Sequence, residues 1–244
     1  MVKKMLYESI NNPKIKQLKQ LKQKKYRDKE SLFLVETEKI IKEAYKNGYL
    51  KELFIKKGID INIDIKKNFI TDKVSKYLSD MNTSQGIFGL CEKKQMKLKE
   101  GKILILDGIQ DPGNMGTIIR SSVAFNIDTI VINDKCVDPY NPKVVKASEG
   151  MIFSANIIKT DLMNFIKTIE KSHKIYSTNV KNGKNIKDIE NTKKFAIIMG
   201  SEGNGVSKEL LDISENLYIP MNKKCESLNV GVATSIFLFY LGGE

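Results

Sequence analysis

The first part of the chain alternates short apolar runs with amphipathic segments. The run SLFLV at 31–35 predicts a strand, and the segment 37–47 predicts a helix that Gly48 ends. The segment 72–81 repeats apolar residues at i, i+3, i+4 and i+7, which is typical of an amphipathic helix. Further short strands are expected at 53–55, 69–71 and 86–91. This alternation predicts a small α/β domain that ends near residue 92.

The first 30 residues form a lysine-rich stretch with helical spacing. Ile15, Leu18 and Leu21 recur every three residues and give a narrow apolar stripe on a basic helix. Two interpretations stay open here. The helix packs on its own domain, or its lysines contact RNA or phosphate, and the local excess of lysine favours the second.

The pattern changes after a polar segment at 93–101, which we interpret as a linker. At 102–107 the sequence KILILD is a continuous apolar run, as found in buried parallel strands. Strands and helices then alternate; strands are expected at 129–133, 174–178, 195–200 and 216–220, and helices at 117–126, 162–169 and 230–240. The predicted fold is therefore α/β, with a small domain at 1–92 and an open, mainly parallel sheet with helices on both faces at 102–244.

Charge is distributed unevenly between these two predicted domains. The whole chain carries a net charge of +12, and residues 1–100 hold 24 basic and 13 acidic side chains. The remaining residues hold 17 basic and 16 acidic side chains. The basic part is therefore expected to bind a polyanion, and it is joined to a part that is nearly neutral.

Composition excludes several classes of protein. No stretch of 18 apolar residues is present, so no segment is expected to span a bilayer. The amino-terminal residues lack the apolar core of a secretory signal. Cys91, Cys136 and Cys225 are too far apart for a zinc-binding spacing and are odd in number, so a reducing cytoplasm is expected.

Histidine and arginine are both scarce. The single histidine, His173, lies in a polar stretch and is expected on the surface. With one histidine there is no histidine metal cluster, and no metal site is expected. Arg27 and Arg120 are the two arginines among 41 basic residues. Each therefore hints at a position that needs the planar guanidinium fork.

Three polar loops follow predicted strands of the second domain, where open α/β sheets bind ligands. The first, DGIQDPGNMGTIIR at 107–120, is read as a turn at 111–114 with Arg120 about one turn into the next helix. The second is GSEGNG at 200–205, which is either a cradle for a phosphate or nucleoside or a simple turn. Glu202 within it disfavours an incoming phosphate.

The third loop, IPMNKKCESLNV at 219–230, opens the last predicted helix. Ser227 and Asn229 are ordinary helix caps when taken alone. Together, the three loops resemble the motifs of the SpoU (TrmH-like) RNA ribose methyltransferases, a branch of the SPOUT class. The matching sequences are GNMGTIIR, GSEGNG, and IPM followed by ESLNV.

The first domain resembles the substrate-binding module of this family, which is similar to ribosomal kink-turn-binding proteins. FLVETEKIIKEA and SQGIFGL carry that resemblance, and NPKIKQLKQLKQKKYRDKE looks most like the members directed at 23S ribosomal RNA. The chain departs from the family pattern at three places. Thr37 and Gly231 stand where Gly and Ser are usual, and Asn222, Lys223 and Lys224 fill a loop that usually holds a Gly.

The resemblance implies S-adenosylmethionine as cofactor, a deep carboxyl-terminal trefoil knot, a homodimer formed through the knot, and no membrane partner. The implied catalytic residues are Asn114, Arg120, Glu202, Ser227 and Asn229. The implied cofactor-binding residues are Thr178, Met199, Gly200, Ile219, Met221 and Leu228. The expected RNA-binding residues are Lys24, Lys25, Arg27 and Lys146.

The implied reaction is methyl transfer to a ribose 2′-OH of structured RNA, with 23S ribosomal RNA favoured. Because a guanidinium stays protonated, Arg120 is expected to clamp the substrate first and to act as a base only second. Two alternatives stay open: the same reaction on tRNA, and a non-catalytic RNA-binding factor. A nucleotide-binding oxidoreductase is disfavoured because its glycine fingerprint is missing.

Overall fold

A computed structural model describes residues 5–180, 182–190 and 192–242. Its twelve described strands are β1 (Leu6–Tyr7), β2 (Leu32–Glu36), β3 (Leu50–Lys56), β4 (Lys67–Ile70), β5 (Ile87–Glu92), β6 (Lys102–Asp107), β7 (Thr129–Ile132), β8 (Ile157–Lys159), β9 (Lys174–Thr178), β10 (Lys184–Asn185), β11 (Phe195–Gly200) and β12 (Glu215–Tyr218). The described α-helices are α1 (Pro13–Gln20), α2 (Lys24–Glu30), α3 (Glu38–Lys46), α4 (Asp72–Leu78), α5 (Pro112–Ala124), α6 (Pro142–Ala147), α7 (Leu162–Ile169), α8 (Lys208–Leu211) and α9 (Val230–Gly242).

The chain divides into two compact units. Unit 1 comprises the described residues of Met1–Lys94 together with Tyr140–Phe153. Unit 2 comprises Gln95–Pro139 and the described residues of Ser154–Glu244. The division after residue 94 lies within the segment 93–101 that the sequence predicts as a linker. The inclusion of Tyr140–Phe153 in unit 1 differs from the predicted boundaries, which kept it in the second domain.

Unit 1 contains a five-stranded mixed sheet in the order β1-β4-β3-β5-β2. β4 pairs parallel with β1 and β3, whereas β5 pairs antiparallel with β3 and β2. The predicted apolar stripe of Ile15, Leu18 and Leu21 is buried in the core of this unit, against the side chains of α4 and the sheet. Of the two open interpretations, packing on its own domain is therefore correct for the apolar face of this stretch.

An aromatic cluster explains why Tyr140–Phe153 belongs to unit 1. The ring of Phe33 on β2 lies 4.6 Å from that of Tyr140 and stacks on that of Phe153 at 6.1 Å, measured between ring centroids. Tyr49 contacts Phe153 as well, at 5.1 Å. Burial raises the pKa of Tyr49, as expected for a phenol removed from water. Large rings contribute strongly to a core, so this segment completes that of unit 1.

One residue of unit 1 has an unusual backbone. Thr37, between β2 and α3, has a φ of 89°. A β-branched residue is rarely found at positive φ, because its side chain collides with its own backbone there. This is the position at which the resembling family usually carries Gly, which adopts such angles without strain.

Unit 2 contains a seven-stranded sheet in the order β10-β12-β9-β11-β6-β7-β8. All its strand pairs are parallel, which confirms the predicted parallel sheet. The strands β8 and β10 were not predicted. Their two or three residues carry too little pattern to be recognised.

The helix α5 begins earlier than predicted. The sequence DPGN at 111–114 predicts a turn, but these residues form the start of the helix. Asp111 is the N-cap and accepts a hydrogen bond from the backbone N–H of Asn114 at 2.8 Å, while Pro112 occupies the first helical position. Asn114 therefore lies in the first turn of α5, and Arg120 lies about two turns into the helix rather than one.

The prediction for His173 is wrong. The side chain is 6% exposed, and its Nδ1 is 2.8 Å from the hydroxyl of Ser172. It lies in the short connection between α7 and β9, where the ring is turned inward although the local sequence is polar. Within the described ranges, no group of side chains suits a metal ion, and no helix is both long and apolar enough to cross a membrane.

Candidate active site

A cleft of about 750 Å³ lies at the carboxyl ends of β9, β11 and β12 in unit 2. Parallel sheets place their ligand sites at this edge, because the loops that leave the strands can vary without disturbing the core. The volume lies in the range of sites for small molecules and cofactors. The cleft is lined by segments around Thr178, Gly200–Gly205, Ile219, Met221 and Ser227–Val230, and by Leu211, Ala233 and Phe237.

The loop after β11 is a closed turn. Ser201 and Gly205 pair through two backbone hydrogen bonds of 3.2 and 2.9 Å, so the turn projects Glu202 at its exposed tip. Gly200 has no room for a side chain, because an added Cβ would lie 1.9 Å from the carbonyl carbon of Gly205. The glycine at position 200 is thus required by this turn. Gly203, in contrast, has open space around it.

Asn114, Glu202 and Asn229 form one hydrogen-bonded chain. Asn114 donates through Nδ2 to Oε1 of Glu202 and accepts through Oδ1 from Nδ2 of Asn229, at 2.8 Å in the second case. Asn229 in turn accepts through Oδ1 from the backbone N–H groups of Gly231 and Val232. Because the amides of Asn114 and Asn229 each donate and accept, the orientation of both amides is fixed, and Glu202 is held by the bond that it accepts. This chain joins all three sequence motifs.

The helices α5 and α9 pack closely behind this chain. The hydroxyls of Ser121 and Ser235 are 2.7 Å apart. An added Cβ at Gly231 would meet Thr117 at 3.1 Å, so the glycine allows the close approach of the two helices. The departure at position 231 therefore suits the local packing. Close packing holds Asn229, the residue before α9, within reach of Asn114.

The structure brings most of the expected site residues to the cleft. All six expected cofactor-binding residues line it, and so do three of the five expected catalytic residues, namely Glu202, Ser227 and Asn229. Asn114 is connected to it through the hydrogen-bonded chain. Arg120 does not line the cleft, and its guanidinium is exposed on α5. It has no ion pair or hydrogen bond within the ranges that the structure describes.

The expected RNA-binding residues all lie in unit 1, and one of them is misplaced. Lys24 and Lys25 are exposed on α2, and Lys146 is exposed on α6. Arg27 is 2% exposed, and its Nη1 donates to the carbonyl oxygens of Leu21 and Lys22 at 3.0 and 2.7 Å. The buried guanidinium closes the turn between α1 and α2. Contact of Arg27 with RNA does not fit this position, and a structural role replaces it.

Several lining residues were not predicted. They are Asn179, Val180, Val206, Leu211, Ala233 and Phe237. Five of them are apolar, so the sequence gives no reason to separate them from ordinary core residues: Val180, Val206, Leu211, Ala233 and Phe237. Asn179 follows β9 directly, and its place at a strand end is the one signal that could have identified it.

Both parts of the chain match known protein families. The SpoU rRNA Methylase family matches residues 101–239, and the MRM3-like substrate binding domain matches residues 12–89. A 23S rRNA (guanosine(2553)-2′-O)-methyltransferase, RlmP, of Bacillus subtilis is 34% identical over 97% of this chain and 98% of its own. A solved structure of an AdoMet-bound rRNA methyltransferase from Sinorhizobium meliloti is 26% identical, with a TM-score of 0.84 over 96% of this chain and 97% of that one. Another solved rRNA methyltransferase from the same organism has a TM-score of 0.86 at 25% identity, over 96% of each chain.

The chain belongs to the SpoU rRNA methylase family. It is an RNA ribose 2′-O-methyltransferase that uses S-adenosylmethionine. The cleft fits that molecule. Glu202 is the single charged side chain among the described lining residues, which suits a ligand that carries a positive sulfonium.

Proposed function

We propose that this protein methylates a ribose 2′-OH in 23S ribosomal RNA. The observation that carries the proposal is the hydrogen-bonded chain from Asn229 through Asn114 to Glu202 at the rim of the cleft. The same three motifs that define the family meet in it. The name of the Bacillus subtilis relative, similar over nearly the whole of both chains, supports 23S ribosomal RNA as the substrate.

S-adenosylmethionine supplies, when bound, a methyl group on a positively charged sulfur. The backbone and side chains of Thr178, Met199, Gly200, Ile219, Met221 and Leu228 hold it in this proposal. Because the donor is already activated, the main task of the protein is to position the 2′-OH in line with it. Glu202, Ser227 and Asn229 line the same cleft and orient the ribose and the methionine part.

Arg120 is proposed to clamp the RNA phosphate and the reacting hydroxyl. A guanidinium offers several N–H donors in a planar fork, which suits a phosphate better than a lysine does. The hydroxyl must also lose its proton near the transition state. A direct role for Arg120 in accepting that proton is secondary in this scheme, since a guanidinium remains charged in proteins.

We propose a homodimer as the active form. Val232, Phe239 and Tyr240 on α9 are exposed, with Phe239 exposed by 63%. Exposed apolar groups of this size on one helix are typical of protein interfaces. Arg120 precedes Ser121, which contacts α9, and it does not line the cleft of its own subunit. A dimer through α9 would allow it to reach the cleft of the partner subunit.

The trefoil knot is proposed for the last strands and helix of unit 2. β12 adds to the sheet next to β9, and α9 follows it. α9 then packs on α5 and also contacts the short 3₁₀-helix at Ile186–Asp188, which precedes β11 in the chain. The carboxyl-terminal helix thus returns to segments that were laid down earlier, as a knotted chain requires.

Unit 1 is proposed to supply most of the RNA affinity, as the substrate-binding domain of the protein. Lys24, Lys25 and Lys146 are exposed, and none has a carboxylate within ion-pair distance among the residues described. Contacts between lysine and phosphate give an affinity for RNA that depends strongly on the salt concentration and little on the RNA sequence. Action on ribosomal RNA would place the protein in the cytoplasm.

The test is methyl transfer in vitro with labelled S-adenosylmethionine and purified protein. We expect label in 23S ribosomal RNA transcribed without modifications, and a single 2′-O-methylated nucleotide after mapping. Label in tRNA alone would support the tRNA alternative and contradict the proposed substrate. Binding of RNA with no label in either RNA would support a non-catalytic factor.

Substitution of Lys24, Lys25 and Lys146 by Gln tests the proposed role of unit 1. The affinity for 23S ribosomal RNA should fall, and its dependence on salt should become weaker by about 0.7 to 0.9 per lysine in the slope of log K against log salt. Calorimetry should give unchanged S-adenosylmethionine binding. An unchanged salt slope would contradict a role for these lysines.

A further inference from the structure

Asp107, at the end of β6, is a buried carboxylate that the proposed mechanism does not use. It is 8% exposed and is therefore largely shielded from water. A buried carboxylate is costly unless it accepts hydrogen bonds. Its strand register places it directly opposite Gly200 on β11, the residue at which the turn Gly200–Gly205 begins.

Both oxygens of Asp107 accept a hydrogen bond. Oδ2 accepts from the backbone N–H of Ser207 at 2.9 Å, and Oδ1 accepts from Nδ2 of Asn133 at 2.8 Å. Ser207 follows the turn and Val206, which lines the cleft. Asp107 therefore contacts the turn at its entrance through the strand register and at its exit through its side chain.

Asn133 cannot rotate its amide to compensate for a change at Asp107. Its Oδ1 already accepts from the backbone N–H of Gly108 at 3.2 Å, and the thiol of Cys136 lies 3.4 Å from the same oxygen. Burial raises the pKa of that thiol, so it stays protonated. The amide of Asn133 must therefore present its NH₂ group to Asp107.

Because a donor faces each of the two terminal side-chain atoms of residue 107, both of these atoms must be hydrogen-bond acceptors. A carboxylate accepts at both positions, whereas an amide accepts at one and donates at the other. We infer that Asp107 is a positioning residue for the reaction, which fixes the exit of the turn Gly200–Gly205 and so the shape of the cofactor cleft. This inference deepens the proposed function and rests on the cofactor role of this cleft.

The first variant is Asp107→Asn, measured by calorimetry with S-adenosylmethionine and without RNA. One of the two donors, Asn133 Nδ2 or Ser207 N–H, must then face another donor. We expect S-adenosylmethionine to bind at least tenfold more weakly. Hydrogen exchange of the backbone amides at 201–207 should be faster than in the unchanged protein.

The decisive variant is Asp107→Asn combined with Asn133→Asp. The amide at position 107 then accepts from Ser207 N–H and donates to the carboxylate at position 133, which still accepts from Gly108 N–H. Every hydrogen bond is restored, and the negative charge now lies on residue 133 instead of residue 107. We expect the affinity for S-adenosylmethionine to return to within about threefold of the unchanged protein, and the exchange at 201–207 to slow again.

Two results would overturn the inference. The first is a stable double variant, with native thermal unfolding, that still binds S-adenosylmethionine tenfold more weakly. The second is an Asp107→Asn variant that unfolds at a lower temperature but keeps full affinity, which would make Asp107 merely structural. If Asp107→Asn alone does not fold, the double variant decides between these outcomes. Because no RNA is used, an error in the proposed RNA substrate does not change any of these results.

Discussion

Asn229 donates a hydrogen bond through Nδ2 to Oδ1 of Asn114, over 2.8 Å, and so joins the start of α9 to the first turn of α5. The two residues are 115 positions apart in the chain. Asn114 passes the contact on by donating to Glu202 in the turn after β11. One asparagine amide thus links the three loops that enclose the cleft, and its loss would affect all of them.

Substitution of Asn114 by Asp should strongly reduce methyl transfer. Its carboxylate would face that of Glu202 and could no longer donate to it. We expect the turnover rate to fall at least 100-fold, by the size of effect seen when one oriented donor is lost from an active site. The measurement is incorporation of labelled methyl groups into RNA.

Asn164→Asp is a matched control for this variant. Asn164 occupies the equivalent third position of α7, where its backbone N–H donates to the N-cap Asp161 at 2.9 Å. The side chain is exposed and lies outside the cleft. Methyl transfer should stay within about twofold of the unchanged protein. Equal losses in the two variants would contradict a specific role for Asn114.

Gly200→Ala should abolish binding of S-adenosylmethionine. The added Cβ would lie 1.9 Å from the carbonyl carbon of Gly205, so the turn cannot close. The matched substitution in the same turn is Gly203→Ala, where nothing lies within 4 Å of the added Cβ. Calorimetry should show native affinity for Gly203→Ala and none for Gly200→Ala. Similar affinities in both would mean that the turn does not shape the cofactor site.

Arg120→Lys should separate charge from shape at this position. The variant keeps one positive charge but loses the planar fork that can hold a phosphate through two parallel bonds. We expect methyl transfer to fall at least tenfold, while S-adenosylmethionine affinity stays unchanged because Arg120 does not line the cleft of its own subunit. Full activity of the variant would exclude a role that needs the fork.

Arg27→Ala should destabilise the protein without a specific effect on cofactor binding. The carbonyl oxygens of Leu21 and Lys22 would lose their buried donor, and the side chain would leave a cavity. We expect a loss of about 3 kcal/mol in the free energy of unfolding, measured by urea denaturation. Lys25→Ala on the exposed face of the same helix should change stability by less than about 0.5 kcal/mol. If Arg27→Ala kept native stability but bound RNA more weakly, the result would support the expected contact of Arg27 with RNA.

Thr37→Gly should stabilise unit 1. At a φ of 89° the threonine is strained by about 1 to 3 kcal/mol, and glycine removes that strain at some cost in the entropy of the unfolded chain. We expect a net gain of about 1 kcal/mol in urea denaturation. Thr71→Gly is the control, since Thr71 has a φ of −80° and caps α4 with its hydroxyl. That variant should be less stable, and a loss in both would contradict strain at Thr37.

The buried strands of unit 2 could be predicted closely from the sequence. The boundaries of β6 and β11 match those expected from their apolar runs, because a strand covered on both faces is mainly apolar. The boundaries of β9 also match, although its sequence KIYST is only partly apolar. The predicted start of α5 is five residues too late, because Asp-Pro-Gly-Asn suits both a turn and a capped helix start. Residues further along the chain decide between them.

Contacts that the pattern of apolar and polar residues does not reveal account for the remaining differences. The burial of Arg27 depends on carbonyls that point inward from the turn between α1 and α2, and the inward position of His173 depends on the way α7 meets β9. The site motifs were recognisable because three polar loops each follow a predicted strand. The apolar lining residues Val180, Ala233 and Phe237 resemble core residues in sequence.

The aromatic cluster of Phe33, Tyr49, Tyr140 and Phe153 limits how this protein can be recombined with its relatives. Unit 1 is built from two separate stretches of chain, so it is not a cassette that can be cut at one linker. A chimera that takes only the first 94 residues from a relative would combine a foreign sheet with the native Tyr140 and Phe153. A functional exchange of RNA preference would have to transfer Tyr140–Phe153, with Lys146 inside it, together with the amino-terminal stretch.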